Sequence, residues 1–114
     1  MFVQIIKGST NDRDGVRRQN ARWNDELRPG ATGFLGSTVG VTDDGTFFAF
    51  ARFVDDVAAK ANSARAEQGA WWEETAKLFN GEPAFFESSD IQLLFDGGSD
   101  SGDLVLHQFR PATD

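Results

Sequence analysis

The chain has 114 residues, no cysteine, one histidine and a formal charge of −7. That length fits one domain. The acidic balance argues against nucleic acid and anionic membrane as partners, and the missing cysteines exclude disulfides, thiolate nucleophiles and thiolate metal sites.

Eleven Phe and three Trp place most of the packing volume in aromatic rings. The opening Met1-Phe-Val-Gln-Ile-Ile-Lys7 lacks the basic start and long apolar run of a signal peptide. No stretch approaches the roughly 20 apolar residues that span a bilayer. A cytoplasmic location is the expectation.

Residues 2–7, rich in β-branched side chains and ended by Gly8, predict a first strand. Ser9-Thr-Asn-Asp12 supplies helix caps. Val16, Asn20, Trp23 and Leu27 then recur at spacings of four, three and four, one face of an amphipathic helix. Arg13, Arg17, Arg18 and Arg22 fall largely off that face, and Pro29-Gly30 stops it. Residues 33–41 and 46–53 flank Thr42-Asp-Asp-Gly45, a strong hairpin signal. The second of these strands is apolar on both faces, with Phe47, Ala49, Ala51 and Phe53 alternating with Phe48 and Phe50. A half-wet sheet would show polar alternation instead. Both sides of this strand therefore need a cover.

Asp55 or Asp56 can cap a second helix whose buried stripe is Val54, Val57, Ala58 and Ala61. Its pattern falters over 62–68 and resumes at Trp71, Trp72, Thr75, Leu78 and Phe79. Two helical segments with a break between them are predicted. Glu73 and Lys77 are placed for an i,i+4 ion pair, and Asn80-Gly81 closes the second segment. Residues 83–95 predict a fourth strand, 96–103 an acidic linker and 104–109 a fifth strand in the tail 104–114.

The first six elements give the order βαββαβ, the ferredoxin-like plan, in which helices cover one face of an antiparallel sheet. A second subunit's sheet would cover the other face of the doubly apolar strand. With Phe2–Gly8, Trp23, the hairpin 33–53 and the stretch Asn62-Ser-Ala-Arg-Ala-Glu-Gln-Gly-Ala-Trp-Trp72, residues 1–95 resemble the dimeric α+β barrel superfamily. Within it the chain resembles the antibiotic-biosynthesis-monooxygenase-like branch, in particular its uncharacterised actinobacterial members. The resemblance implies a homodimeric barrel and an apolar cavity for a small aromatic molecule. It further implies an oxygenation needing no metal or flavin, hence no cofactor. Some relatives are duplicated, so the tail is either a fifth strand on a sheet edge or the start of a second repeat.

Four residue groups are the site candidates. Trp71 and Trp72 differ by about 100° on a helix and fit one broad apolar stripe, so core packing competes with a ligand-pocket role. Gln68 is the nearby acceptor for a buried indole N–H. Asn62 and Arg65 resemble the donor and anion partner of the cofactor-free oxygenases; the structural alternatives are a break residue and a surface ion pair. Arg52 and Phe50 share the Phe48 side of their strand and would face a barrel cavity or an ion pair across the dimer. The single histidine, His107, lies in the tail, so no haem ligand is expected in 1–95, and no carboxylate spacing suggests a metal. Two functions stay open: a catalyst with Asn62, Arg65 and Trp72 at its centre, or a non-catalytic small-molecule-binding or stress-related dimer. The absence of tyrosine and of histidine in 1–95 weighs toward the second.

Overall fold

A computed structural model of the chain describes residues 1–92. The acidic linker, the tail strand, His107 and the last residues of the predicted fourth strand lie outside the described residues. Within them the predicted order holds. Strand β1 is Phe2–Ser9, helix α1 Arg13–Arg22, β2 Phe34–Val41, β3 Thr46–Phe53, α2 Asp56–Ser63, α3 Ala66–Ala76 and β4 Ala84–Ser88. The sheet is antiparallel in the order β2-β3-β1-β4, a ferredoxin-like α+β fold.

Local chemistry explains the boundaries. Asp12 caps α1 by accepting from the Gly15 N–H at 2.9 Å, and Asp55 caps α2 by accepting from the Ala58 N–H at 2.8 Å. In the hairpin, Gly45 takes φ +88°, a left-handed conformation that costs a Cβ-bearing residue energy. The Asp44 carboxyl is held below the ordinary carboxylate range, chiefly by the Thr42 hydroxyl and then by that of Thr46.

The helix predicted to run from Ser9–Asp12 to Pro29 is three pieces. After α1 it widens into a π turn at Trp23–Leu27 and tightens into a 3-10 turn at Arg28–Gly30. Val16 and Leu27 are buried as expected from the stripe, whereas Asn20 and Trp23 are only half-buried. The stripe predicted for α2 is displaced: Val54 and Val57 are exposed, and the helix buries Ala59 and Asn62 instead. The break expected over 62–68 is confined to Ala64 and Arg65.

The core forms two clusters on the helix-bearing face of the sheet. Val16, Phe47, Ala49 and Phe79 make one, with Trp72 packed against it; Phe2, Phe53 and Ala59 make the other, with Phe34 and Ala51. Phe53 is 1 % exposed. The opposite face carries Ile5, Phe48, Phe50, Arg52 and Phe86 by strand parity and register. The three helices lie on the other side. β3 is thus apolar on both faces, as predicted, with helices covering one.

One predicted pair is replaced. No ion pair joins Glu73 to Lys77; instead Arg22 bridges Glu26 at 2.8 Å and reaches across to Glu74. α1 and α3 run side by side, which brings Arg22 to Glu74. The hydrogen bond from Arg22, then its charge, holds the Glu74 carboxyl below the ordinary range. A depressed carboxyl stabilises the fold at neutral pH, and the contribution is lost as pH falls through the range where Glu74 takes up its proton. Both side chains are solvent-screened, so Glu74→Gln is expected to shift the melting temperature by no more than about a degree or two. Calorimetry at pH 7 checks this; a drop of many degrees would show the pair to matter far more than its exposure implies.

Candidate functional site

On β3 the helix-facing side chains read Phe47, Ala49, Ala51, Phe53. Two small residues between two large ones leave a gap between the two core clusters. The neighbouring strands widen it into a floor: Gln4 and Ser37 flank Ala51, and Ile6 and Val39 flank Ala49. Over this floor lies a pocket of about 120 Å³. Its roof and walls are Asn20, Trp23 and Asn24 from α1 and the π turn, Phe34 and Phe53 from the strands, and Asn62, Gln68 and Trp71 from α2 and α3. None of these residues carries a charge.

A second pocket of about 240 Å³ adjoins it toward β4, sharing Gln4, Ile6, Gln68 and Trp71 and adding Trp72, Phe85, Phe86 and Glu87. Each is smaller than the few hundred Å³ or more typical of ligand sites. Shared walls join the two into one recess, with the inner pocket over Ala49 and Ala51 and the outer one at Trp72.

The two indoles divide the work. Trp71 is buried, donates its indole N–H to the Gln19 carbonyl at 2.8 Å, and lines both pockets. The Thr75 hydroxyl donates to the Trp71 carbonyl at 2.8 Å and accepts from Gln19 Nε2 at 2.9 Å, which ties α3 to α1. Trp72 is half-buried, packs its ring on Phe79 and Phe85 with centroids 6.2 and 5.5 Å away, and lines only the outer pocket. Gln68 does not serve either of them: its Oε1 accepts from the Trp23 indole N–H at 2.6 Å. The π turn has swung Trp23 toward α3, where its ring also meets Phe34 edge-on at 4.9 Å.

Asn62 is 5 % exposed and lines the inner pocket. Arg65 stands behind it. Its Nη1 donates to Asn62 Oδ1 at 2.9 Å and to the Leu27 carbonyl at 3.1 Å, while its Nε meets Glu67 at 2.9 Å. The guanidinium passes over Gly30 so closely that a Cβ there would lie 2.6 Å from Nη2. The surface ion pair weighed for Arg65 is therefore present, together with a buried contact to Asn62.

Arg52 and Phe50 are not brought into this recess. They lie on the opposite face of the sheet, where Arg52 is buried and its Nη1 stands 3.4 Å from the Thr38 hydroxyl. Desolvation pulls its pKa below the ordinary arginine value. Six wall residues escaped sequence reasoning as site residues: Asn20, Trp23, Asn24, Phe34, Phe53 and Gln68. The Phe-Ala-Ala-Phe alternation on one face of β3 was the available signal for the gap they surround. Among the described residues no group of His, Cys, Asp or Glu could hold a metal, and no helix is long and apolar enough to cross a membrane.

No protein-family model and no curated protein matches the sequence. Solved structures do match in shape. The chain is similar to SnoaB, a cofactor-independent oxygenase from Streptomyces nogalater, at TM-score 0.71 and 14% identity over 82% of this chain and 95% of that one. A variant of that oxygenase with an asparagine replaced by alanine aligns at TM-score 0.69 and 15% identity, covering 82% and 97%. The ActVA-Orf6 monooxygenase of Streptomyces coelicolor, solved with the ligand nanaomycin D, aligns at 0.64 and 16% over 82% and 90%. Rv0793 of Mycobacterium tuberculosis aligns at 0.62 and 13% over 83% and 100%. At these identities the likeness is one of fold: the ferredoxin-like α+β unit of antibiotic-biosynthesis-monooxygenase structures.

Proposed function

We propose that the chain is an actinobacterial-type member of the antibiotic-biosynthesis-monooxygenase-like branch, a homodimer acting in the cytoplasm that oxygenates a small aromatic molecule without metal or flavin. One observation carries this: a recess roofed by Trp71 and Trp23 and edged by the buried amide of Asn62. The flat walls suit an aromatic ring. Absence of charge in the inner pocket favours a ligand without an ammonium or carboxylate, which would be buried there uncompensated.

The chemistry suited to such a site starts from an electron-rich phenol. Its anion can pass an electron to dioxygen, and neutral amide donors stabilise the oxygen on which charge gathers. In the balanced overall step, a ring C–H and the phenolic O–H give up two hydrogens. One atom of dioxygen leaves with them as water; the other becomes a new carbonyl on the ring, and the phenol becomes the second. Asn62 is the donor, Arg65 its support and Trp72 the mouth. Oxygen uptake with a panel of naphthols and hydroquinones tests the reading. Uptake by the wild type that falls in Asn62→Ala and Trp72→Phe supports it, and no uptake above the buffer rate across the panel defeats it.

A non-catalytic binder is the second reading. It is favoured by the lack, among the described residues, of any carboxylate or histidine lining the inner pocket to take up the phenol's proton. Tight binding of the same compounds without oxygen uptake would establish it.

The homodimer rests on the doubly apolar β3. Phe48, Phe50, Ile5 and the 54 % exposed Phe86 form an apolar sheet face opposite the helices, suited to a second copy's sheet. Sedimentation at micromolar concentration is expected to give twice the chain mass. Phe86→Glu is expected to shift the species toward the single chain, because a carboxylate facing the partner sheet would be buried unpaired. A monomeric wild type would defeat the barrel.

A further inference from the structure

The inner pocket holds two carboxamides whose oxygens are already occupied. Asn62 Oδ1 accepts from Arg65 Nη1 at 2.9 Å, and Gln68 Oε1 accepts from the Trp23 indole N–H at 2.6 Å. Guanidinium and indole nitrogens can only donate. Each amide is therefore fixed in orientation: its oxygen faces the protein donor and its NH2 group turns the other way. Among the described residues, neither NH2 group has a hydrogen-bond acceptor on the protein. Asn62 is nevertheless 5 % exposed, and both residues line the pocket. Neither nitrogen is sealed from solvent, so each can exchange water for an acceptor supplied by a ligand.

We propose that Arg65 and Trp23 are positioning residues that set the polarity of the pocket. By holding the oxygens of Asn62 and Gln68, they make it present two amide N–H2 groups and select a ligand carrying two acceptor oxygens. This rests on the reading of the recess as a small-molecule site.

Both positioning side chains are themselves over-determined. Arg65 is fixed by the Leu27 carbonyl and Glu67, and fits only because Gly30 has no Cβ. Trp23 is fixed by its edge-on contact with Phe34 and by the π turn that carries it. At the rim Asn24 repeats the pattern, its Oδ1 accepting from Arg28 Nη1 at 2.9 Å. Gln4 and Asn20 have neither amide end engaged and can turn to either polarity; they adapt to a ligand, whereas Asn62 and Gln68 impose on it.

Nuclear magnetic resonance of the uniformly 15N-labelled full chain reads the orientation directly. In the wild type the side-chain NH2 protons of Asn62 and Gln68 are each expected to show contacts to ring protons of the pocket wall. Arg65→Met keeps the aliphatic stem but removes the donors, and is expected to erase the Asn62 contacts while sparing those of Gln68. Trp23→Phe is expected to do the reverse. Pocket contacts unchanged in both variants would overturn the positioning role, and a merely structural role would broaden or move both sets together.

Binding of 1,4-naphthoquinone, which has two acceptor oxygens and no donor, against naphthalene then reads the selectivity. Asn62→Asp keeps the oxygen that Arg65 holds and replaces the NH2 by a second oxygen. It is expected to stay folded and to weaken quinone binding about tenfold or more, while naphthalene changes by no more than about threefold. Equal losses for both compounds would overturn the selectivity. If the wild type binds neither, the small-molecule reading fails, and the ligand half of this proposal with it; the orientation of the amides is still decided by the proton contacts.

Discussion

Phe53→Ala is expected to destabilise the fold by about 4 kcal/mol, the largest loss from any single core truncation in this chain. Phe53 is 1 % exposed, stacks edge-on with Phe34 at 5.5 Å and joins Phe2 and Ala59 in one of the two core clusters. It also forms the end wall of the inner pocket. Truncation would merge the new void with an existing one, so the surrounding side chains cannot close over it. A domain of this size holds about 5–15 kcal/mol in total, so the loss would lower the melting temperature by roughly 15–25 °C. Urea unfolding measures it as a fall in midpoint at constant slope. Phe85→Ala is the control: at 58 % exposure it should cost less than about 1.5 kcal/mol. A Phe53→Ala variant within that same range would mean that the two-cluster core does not carry the fold.

The control also shows what could be read without the structure. Phe53 and Phe85 are the same residue in the same β-rich context. Parity along β3 placed Phe47, Ala49, Ala51 and Phe53 together, but because the strand is apolar on both faces, parity could not say which face the helices cover. That choice follows from the whole βαββαβ path, and it put Arg52 and Phe50 on the side away from the recess. The hairpin was legible because Asp44-Gly45 is a local signal, and the break at 64–65 because the apolar period stops there. The π turn was not legible. A widened turn leaves the apolar spacing almost unchanged, yet it rotates Trp23 far enough to meet Gln68 on α3 at 2.6 Å. Gln68 was recognised as an acceptor from its position near Trp71 and Trp72, but its indole came from a residue 45 positions away. Pairings made by tertiary approach, including Arg22 with Glu74, have no signature in the local spacing that would have predicted them.

Asn62→Ala carries the largest effect expected on activity, a fall in kcat/KM of about 10²-fold for the phenol oxidised best by the wild type, most of it in kcat. The size follows from what comparable oxyanion-stabilising donors contribute in enzymes. Amide N–H groups that meet a developing oxyanion in a water-excluded pocket each contribute on the order of 10²–10³ in rate. Asn62 is buried, held by Arg65 at 2.9 Å and not mobile enough to be replaced by a neighbour. A contact that strengthens as charge develops lowers kcat beyond its share in binding, which separates it from a wall residue such as Trp72, whose loss should raise KM alone. Stability gives a second check. Asn62→Ala removes an acceptor from Arg65, but Leu27 and Glu67 still hold that guanidinium. The unfolding free energy should therefore fall by about 1 kcal/mol. A variant that loses activity only in proportion to its folded fraction would assign Asn62 to the architecture of the 62–65 break, and the catalyst would then have to be sought on the opposite face of the sheet, around Arg52.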